Sequence, residues 1–157
     1  MDRTPTRAKI LVVDDEVPIR EYEANLLSEF GHEVLTASEG YEALKLAREK
    51  HPDLILLDIL MPEMSGIEVC RELRADPRTR DVRIVVVSGV DDRQTLEECL
   101  DAGADDFVTK PIDRLELMVR VRSMLRVRGI ADDQKRRTKY QEQIQKMRRP
   151  RGSKTGS

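Results

Sequence analysis

The chain has no tryptophan, two phenylalanines and three tyrosines, so aromatics make up 3% of its 157 residues. A core made without them must rest on Leu, Ile, Val and Ala, which suits a sheet covered by helices. The same scarcity leaves little material for the stacking platforms on which single-stranded nucleic acid binds. Soft and borderline metal ligands are equally scarce, with two histidines and two cysteines. Cys70 and Cys99 lie far apart with no CxxC or His-rich surroundings, which argues against a zinc site or a disulfide framework and for two packing residues. No run approaches the roughly 18 apolar residues of a membrane span. The N-terminal MDRTPTRAKI also lacks the apolar segment of a signal peptide. The expected location is the cytoplasm, with no membrane partner.

Charge is abundant instead: 28 basic and 30 acidic side chains, 37% of the chain, for a net charge of −2. Residues 131–157 hold nine Lys or Arg against three Asp or Glu, a local balance of +6 that leaves −8 on the first 130 residues. An acidic body with a basic tail suggests separate roles for the two parts. The length allows one ordinary domain and a short appendage. We read residues 1–7 as a flexible N-terminus, 8–128 as the domain, and 150–157 as a disordered tail. Residues 131–149 lack Gly and Pro and carry Tyr140, Ile144 and Met147 at helical spacing. Segment 129–149 is therefore either a helical extension of the domain or a solvated charged segment.

Five short apolar runs alternate with longer helical patterns. The runs are Lys9 to Val13, Glu33 to Thr36, Leu54 to Leu57, Ile84 to Val87 and Asp106 to Thr109. Three are continuous apolar blocks, the appearance of strands buried on both faces of a parallel sheet. Helices are predicted near 17–30, 39–50, 65–75, 91–102 and 112–128. In the first, Ile19, Tyr22, Leu26, Leu27 and Phe30 follow helical spacing and Gly31 supplies a C-terminal stop. The pattern predicts an α/β fold, (βα)5, with a doubly wound, flavodoxin-like parallel sheet of five strands in the order 2-1-3-4-5. Ligands of such sheets bind beyond the carboxyl ends of the strands, where the strand order reverses.

Chemically able residues gather at those ends: Asp14, Asp15 and Glu16 after the first strand, Asp58 after the third, Ser88 after the fourth and Lys110 after the fifth. Carboxylates brought together raise one another's pKa unless a cation is present. Hard oxygen ligands with no His or Cys nearby favour Mg2+. A single such aspartate is as readily a helix cap or turn residue. Matched residues at four strand ends favour the site.

The segments VVDDE, LLDILMPEMSG, VVVSG and DDFVTKP resemble the defining segments of response-regulator receiver domains, the CheY-like proteins of two-component signalling, over about residues 8–128. The resemblance implies Asp58 as phosphoacceptor, with Asp14, Asp15, Asp58 and the backbone carbonyl of Leu60 around Mg2+. It further implies Lys110 as the lysine that meets the phosphoryl group, Ser88 and Phe107 as switch residues, Gly66 as the loop glycine, and a cis peptide before Pro111. The implied donor is a histidine kinase or a histidine phosphotransfer protein. The domain would catalyse its own phosphorylation and dephosphorylation rather than turn over a substrate, and would reshape the surface of its fourth helix, fifth strand and fifth helix.

A haloacid-dehalogenase-like phosphatase would need a DxD after the first strand, whereas Asp14 and Asp15 are adjacent. A flavodoxin-like electron carrier would need a Ser-, Thr- or Gly-rich phosphate loop where VDDEVP stands. DNA is not the expected partner, since too little chain follows residue 130 for a winged helix and a basic run alone gives only salt-sensitive attraction. The output stays open between a stand-alone phosphorelay protein and the receiver module of a larger one. Acidic Asp101 and Asp106 opposite basic Arg120 suggest a homodimer through the fourth helix, fifth strand and fifth helix. Leu60, two residues after Asp58, and Val90, two after Ser88, fall at positions that the resemblance places along the path of water to the acyl phosphate, and apolar side chains there imply slow loss of the phosphoryl group.

Overall fold

The computed structural model describes residues 7–89 and 93–126. Residues 1–6 of the expected N-terminal segment, the extension 129–149, the tail 150–157 and Val90 lie outside the described residues. In chain order the elements are β1 (Lys9–Val13), α1 (Val17–Glu29), β2 (Glu33–Ala37), α2 (Gly40–Lys50), β3 (Leu54–Asp58), α3 (Gly66–Ala75), β4 (Arg83–Ser88), α4 (Arg93–Ala102), β5 (Asp106–Thr109) and α5 (Arg114–Arg126). The strands form one parallel sheet in the order β2-β1-β3-β4-β5.

Successive side chains of a strand point to opposite faces, and the core divides accordingly. Leu11, Val13, Ile55, Leu57, Ile84, Val86 and Phe107 join Leu44, Leu73 and Leu96 of α2, α3 and α4 in one apolar cluster. Ile10, Val12, Leu54, Leu56, Val85, Val87 and Val108 join Leu26 and Leu27 of α1 and Leu117 and Val121 of α5 in the other. All five residues of the central β3 are buried, as its continuous apolar run requires.

Two differences from the sequence reading matter for the site. The third and fourth strands run one residue further than their apolar blocks, because the ladder continues through Asp58↔Val87 and Ser88↔Thr109. Asp58 and Ser88 therefore end strands instead of opening loops. In α1, Tyr22 is exposed at 46% while Glu23 is buried at 1%. The helical phase explains the exchange: Glu23 lies three and four residues before Leu26 and Leu27 and so shares their inward face. The stop at Gly31 is a Schellman turn, with φ of 97° and bonds from Gly31 N to Ser28 O and His32 N to Leu27 O of 3.0 and 3.1 Å. At α3 a capping box joins Ser65 and Glu68. Among the described residues no helix is long and apolar enough to cross a membrane.

Candidate functional site

Register decides which polar groups meet. Asp58 shares the parity of Leu54 and Leu56, and Asp14 and Lys110, one residue beyond β1 and β5, continue the parity of Val12 and Val108. These three thus belong to the sheet face covered by α1 and α5. Ser88 and Phe107 share the parity of Val86 and belong to the opposite face.

Asp14 is fully buried and tied on three sides. Its amide donates to Ala37 O at 3.2 Å, its Oδ1 accepts from Glu16 N at 2.9 Å, and its carbonyl accepts from Arg20 Nη1 at 2.8 Å. Its Oδ2 has no hydrogen-bond partner. The Lys110 ammonium bridges the carboxylates, 3.4 Å from Asp58 Oδ1 and 3.6 Å from Asp14 Oδ2. Lys110 is held in turn by its amide, which donates to Ser88 O at 2.8 Å, and the Lys110–Pro111 peptide bond is cis. Asp15 is exposed, yet one carboxylate oxygen each from Asp14, Asp15 and Asp58 lie within 4.8 Å of one another.

The electrostatics follow from burial and unequal charge. Burial, and then Asp14, push the Asp58 carboxyl up to about 6, against the lowering effects of Lys110 and the Leu60 amide. Burial acts to lower the Lys110 ammonium, but Asp58 and Asp14 outweigh it and the net direction is up. A donor set of carboxylate oxygens, one of them buried without a hydrogen bond, fits a hard cation such as Mg2+. Asp14, Asp15 and Asp58 are the residues that would hold it.

Backbone spacing shapes the loop after Asp58. Gly66 N donates to Ile59 O at 2.8 Å, and a Cβ at Gly66 would collide with the Asp58 carbonyl oxygen. Glycine is required there for close approach. Leu60 is 63% exposed at the mouth of the site. Ser88 is buried at the end of β4, and Phe107 is buried with the Arg120 guanidinium 5.8 Å from its ring centre. Cys70 and Cys99 are buried, and burial pushes both thiols up to about 12, as packing residues require.

The sequence reading missed Glu23. Burial first, then Asp14, raise its carboxyl to about 8, with Lys110 opposing and Asp58 adding to the rise. The available signal was helical phase: an acidic residue on the face set by Leu26 and Leu27.

A family model described as the response regulator receiver domain matches residues 10–122. The chain belongs to this family. It is a receiver domain of the two-component response-regulator type, and the (βα)5 sheet is the CheY-like form of the flavodoxin fold. It is 46% identical over 131 residues to the response regulator PleD of Caulobacter vibrioides, covering 83% of this chain and 29% of PleD. The chain thus spans less than a third of that relative's length. Among solved structures, the Vibrio cholerae chemotaxis protein CheY4 superposes with a TM-score of 0.72 at 30% identity, covering 75% of this chain and 98% of that one. The receiver domain of the sensor histidine kinase PA1611 from Pseudomonas aeruginosa PAO1, with a magnesium ion in its active-site cleft, has a TM-score of 0.71 at 29% identity, covering 75% and 97%.

Proposed function

We propose that Asp58 of this receiver accepts a phosphoryl group from a histidine kinase or histidine phosphotransfer protein, in a reaction dependent on Mg2+ held by Asp14, Asp15, Asp58 and the Leu60 backbone carbonyl. The observation that carries this reading is the Asp58 carboxylate at the end of the central strand, 3.4 Å from the Lys110 ammonium and grouped with two further acids.

An Asp58 oxygen attacks phosphorus as the bond to the donor nitrogen breaks; the donor ring, protonated on its other nitrogen, keeps the bonding electron pair and leaves as neutral imidazole, and an aspartyl phosphate remains. Lys110 offsets negative charge on the phosphoryl oxygens from the β5 side. Bound Mg2+ supplies a second positive charge for those oxygens. Hydrolysis of the acyl phosphate resets the domain.

The phosphoryl group adds about −1.5 to −2 charge and three acceptors, which draw the Ser88 hydroxyl toward Asp58. Ser88 and Phe107 share one sheet face, so a shift of Ser88 changes the packing of Phe107 and the surface of α4, β5 and α5. That surface is the place for a homodimer or a downstream partner. PleD is more than three times as long as the matched segment, which favours a role as the receiver module of a larger protein.

Incubation with acetyl phosphate is the test. Asp58 is expected to become phosphorylated with Mg2+ and to stay unmodified in EDTA, and Asp58→Asn to remain unlabelled. Undiminished labelling of that variant rejects Asp58 as acceptor.

A further inference from the structure

Asp14 is anchored at its amide, its carbonyl and one carboxylate oxygen, and the partners differ in kind. Its amide donates to Ala37 O at 3.2 Å and its Oδ1 accepts from Glu16 N at 2.9 Å, both partners being backbone groups. The carbonyl instead accepts from a side chain, Arg20 Nη1, at 2.8 Å. Asp14 Oδ2 is left buried without a hydrogen bond, 3.6 Å from the Lys110 ammonium.

Arg20 reaches that carbonyl because of where α1 starts. Its amide donates to Glu16 O at 3.0 Å, which places it at the first turn of the helix. Helical side chains lean toward the N-terminus, and this carries the half-buried Arg20 back to the end of β1. Arginine commonly meets carboxylates in forked pairs. Among the described residues, however, its guanidinium forms no ion pair with Asp14, Asp15, Glu16 or Glu21, although all four are close in sequence. The carbonyl it holds belongs to the planar peptide that joins Asp14 to Asp15. A hold on that plane orients two of the three clustered acids together.

We propose that Arg20 is a positioning residue of the cation site, which by holding the Asp14 carbonyl sets the direction of Asp14 Oδ2 and the approach of Asp15. It rests on the reading of Asp14, Asp15 and Asp58 as the Mg2+ ligands. Partners behind metal ligands fix their orientation, and Arg20 acts in that way through Asp14 and Asp15. Its charge works against its anchoring, since a guanidinium repels a divalent cation. A neutral side chain that only removed the charge would strengthen Mg2+ binding, whereas loss of the anchor weakens it.

The test is titration of the full chain with MgCl2, followed by amide NMR shifts, for wild type, Arg20→Met and Arg20→Lys, with thermal unfolding of each protein in EDTA. Methionine keeps an unbranched stem without donor or charge, and lysine keeps the charge and a donor of shorter reach. Arg20→Met is expected to bind Mg2+ about tenfold more weakly than wild type, the effect of losing a partner behind a metal ligand, and Arg20→Lys to fall between the two. A purely structural role lowers the unfolding temperature and leaves the Mg2+ affinity alone, which overturns the proposal. Tighter binding by Arg20→Met overturns it too and shows Arg20 to act only as a repelling charge. Should Arg20→Met fail to fold, Arg20→Lys decides, and affinity equal to wild type then rejects the anchor. Absence of Mg2+ binding by wild type overturns the metal reading itself, a result distinct from equal binding by wild type and variants.

Discussion

Arg120 holds Asp106 within its own chain, with Nη1 2.9 and 3.2 Å from the two carboxylate oxygens. The pair ties α5 to β5 beside the buried Phe107 ring. The sequence reading set Asp101 and Asp106 against Arg120 across a two-fold axis. A second copy can use Arg120 that way only by exchanging one ion pair for another, so the exchange alone adds little affinity. Dimerisation is therefore expected only when phosphorylation alters this face. Sedimentation is expected to give a monomer for untreated protein and a dimer after acetyl phosphate. A monomer mass in both samples rejects the phosphorylation-driven dimer.

Arg74 of α3 closes the far end of α4. Its guanidinium donates to Gly103 O at 3.0 and 2.8 Å, to Arg80 O at 2.8 Å, to Val82 O at 2.6 Å and to Asp105 Oδ2 at 2.9 Å. Gly103 has φ of 113°, and a Cβ there would meet Arg74 Cγ at 2.5 Å. Arg74→Ala leaves the buried Asp105 without this cation and is expected to lower stability by about 3 kcal/mol. Urea unfolding measures it; a loss within the ~0.5 kcal/mol of an ordinary surface substitution rejects the clamp.

His32 links stability to pH. Its Nδ1 accepts from Ala8 N at 3.1 Å, which requires an unprotonated Nδ1, and partial burial lowers its pKa although Asp53 opposes this. Its folded value lies below its unfolded value of roughly 6.5, so its contribution is full above that pH and is lost as pH falls toward the lowered folded value. Asp58 and Glu23 have raised values and act in the opposite sense, but they are common to wild type and a His32→Asn variant. The stability advantage of wild type over the variant is expected to shrink between about pH 7 and pH 5. A constant difference across that range, by urea unfolding, removes His32 as the cause.

Leu60 bears on the lifetime of the phosphorylated state. It is 63% exposed beside Asp58 and offers no polar group to orient an attacking water. Leu60→Asn with Val90→Glu is expected to shorten the lifetime about tenfold, the effect of a barrier lower by ~1.4 kcal/mol. Phosphate release at an equal or slower rate in the double variant shows that these positions do not set the timer.

How much could be read before the structure depends on the kind of signal. Apolar runs of strand length alternating with helical spacing are a one-dimensional record of burial, and they carried the sheet and its strand order. Asp14, Asp15, Asp58 and Lys110 were readable as a group because each falls at the end of such a run, where a parallel sheet must gather them. The three aspartates lie together, and Lys110 stands 3.4 Å from Asp58 and 3.6 Å from Asp14.

Pairings that depend on the phase of one element against another were not readable. Tyr22 and Glu23 are neighbours in sequence, and apolar character favoured Tyr22 for the core; the rotation of α1 that seats Leu26 and Leu27 turns Glu23 inward instead. Arg120 meets Asp106 in its own chain because α5 packs beside β5, and His32 receives the Ala8 amide across 24 residues. The sequence by itself determined which segments are buried, hence the fold and the strand ends where the acids collect. Only the tertiary structure decided which polar groups are buried together, because that depends on helix rotation and strand parity at distant positions, which a local pattern does not contain.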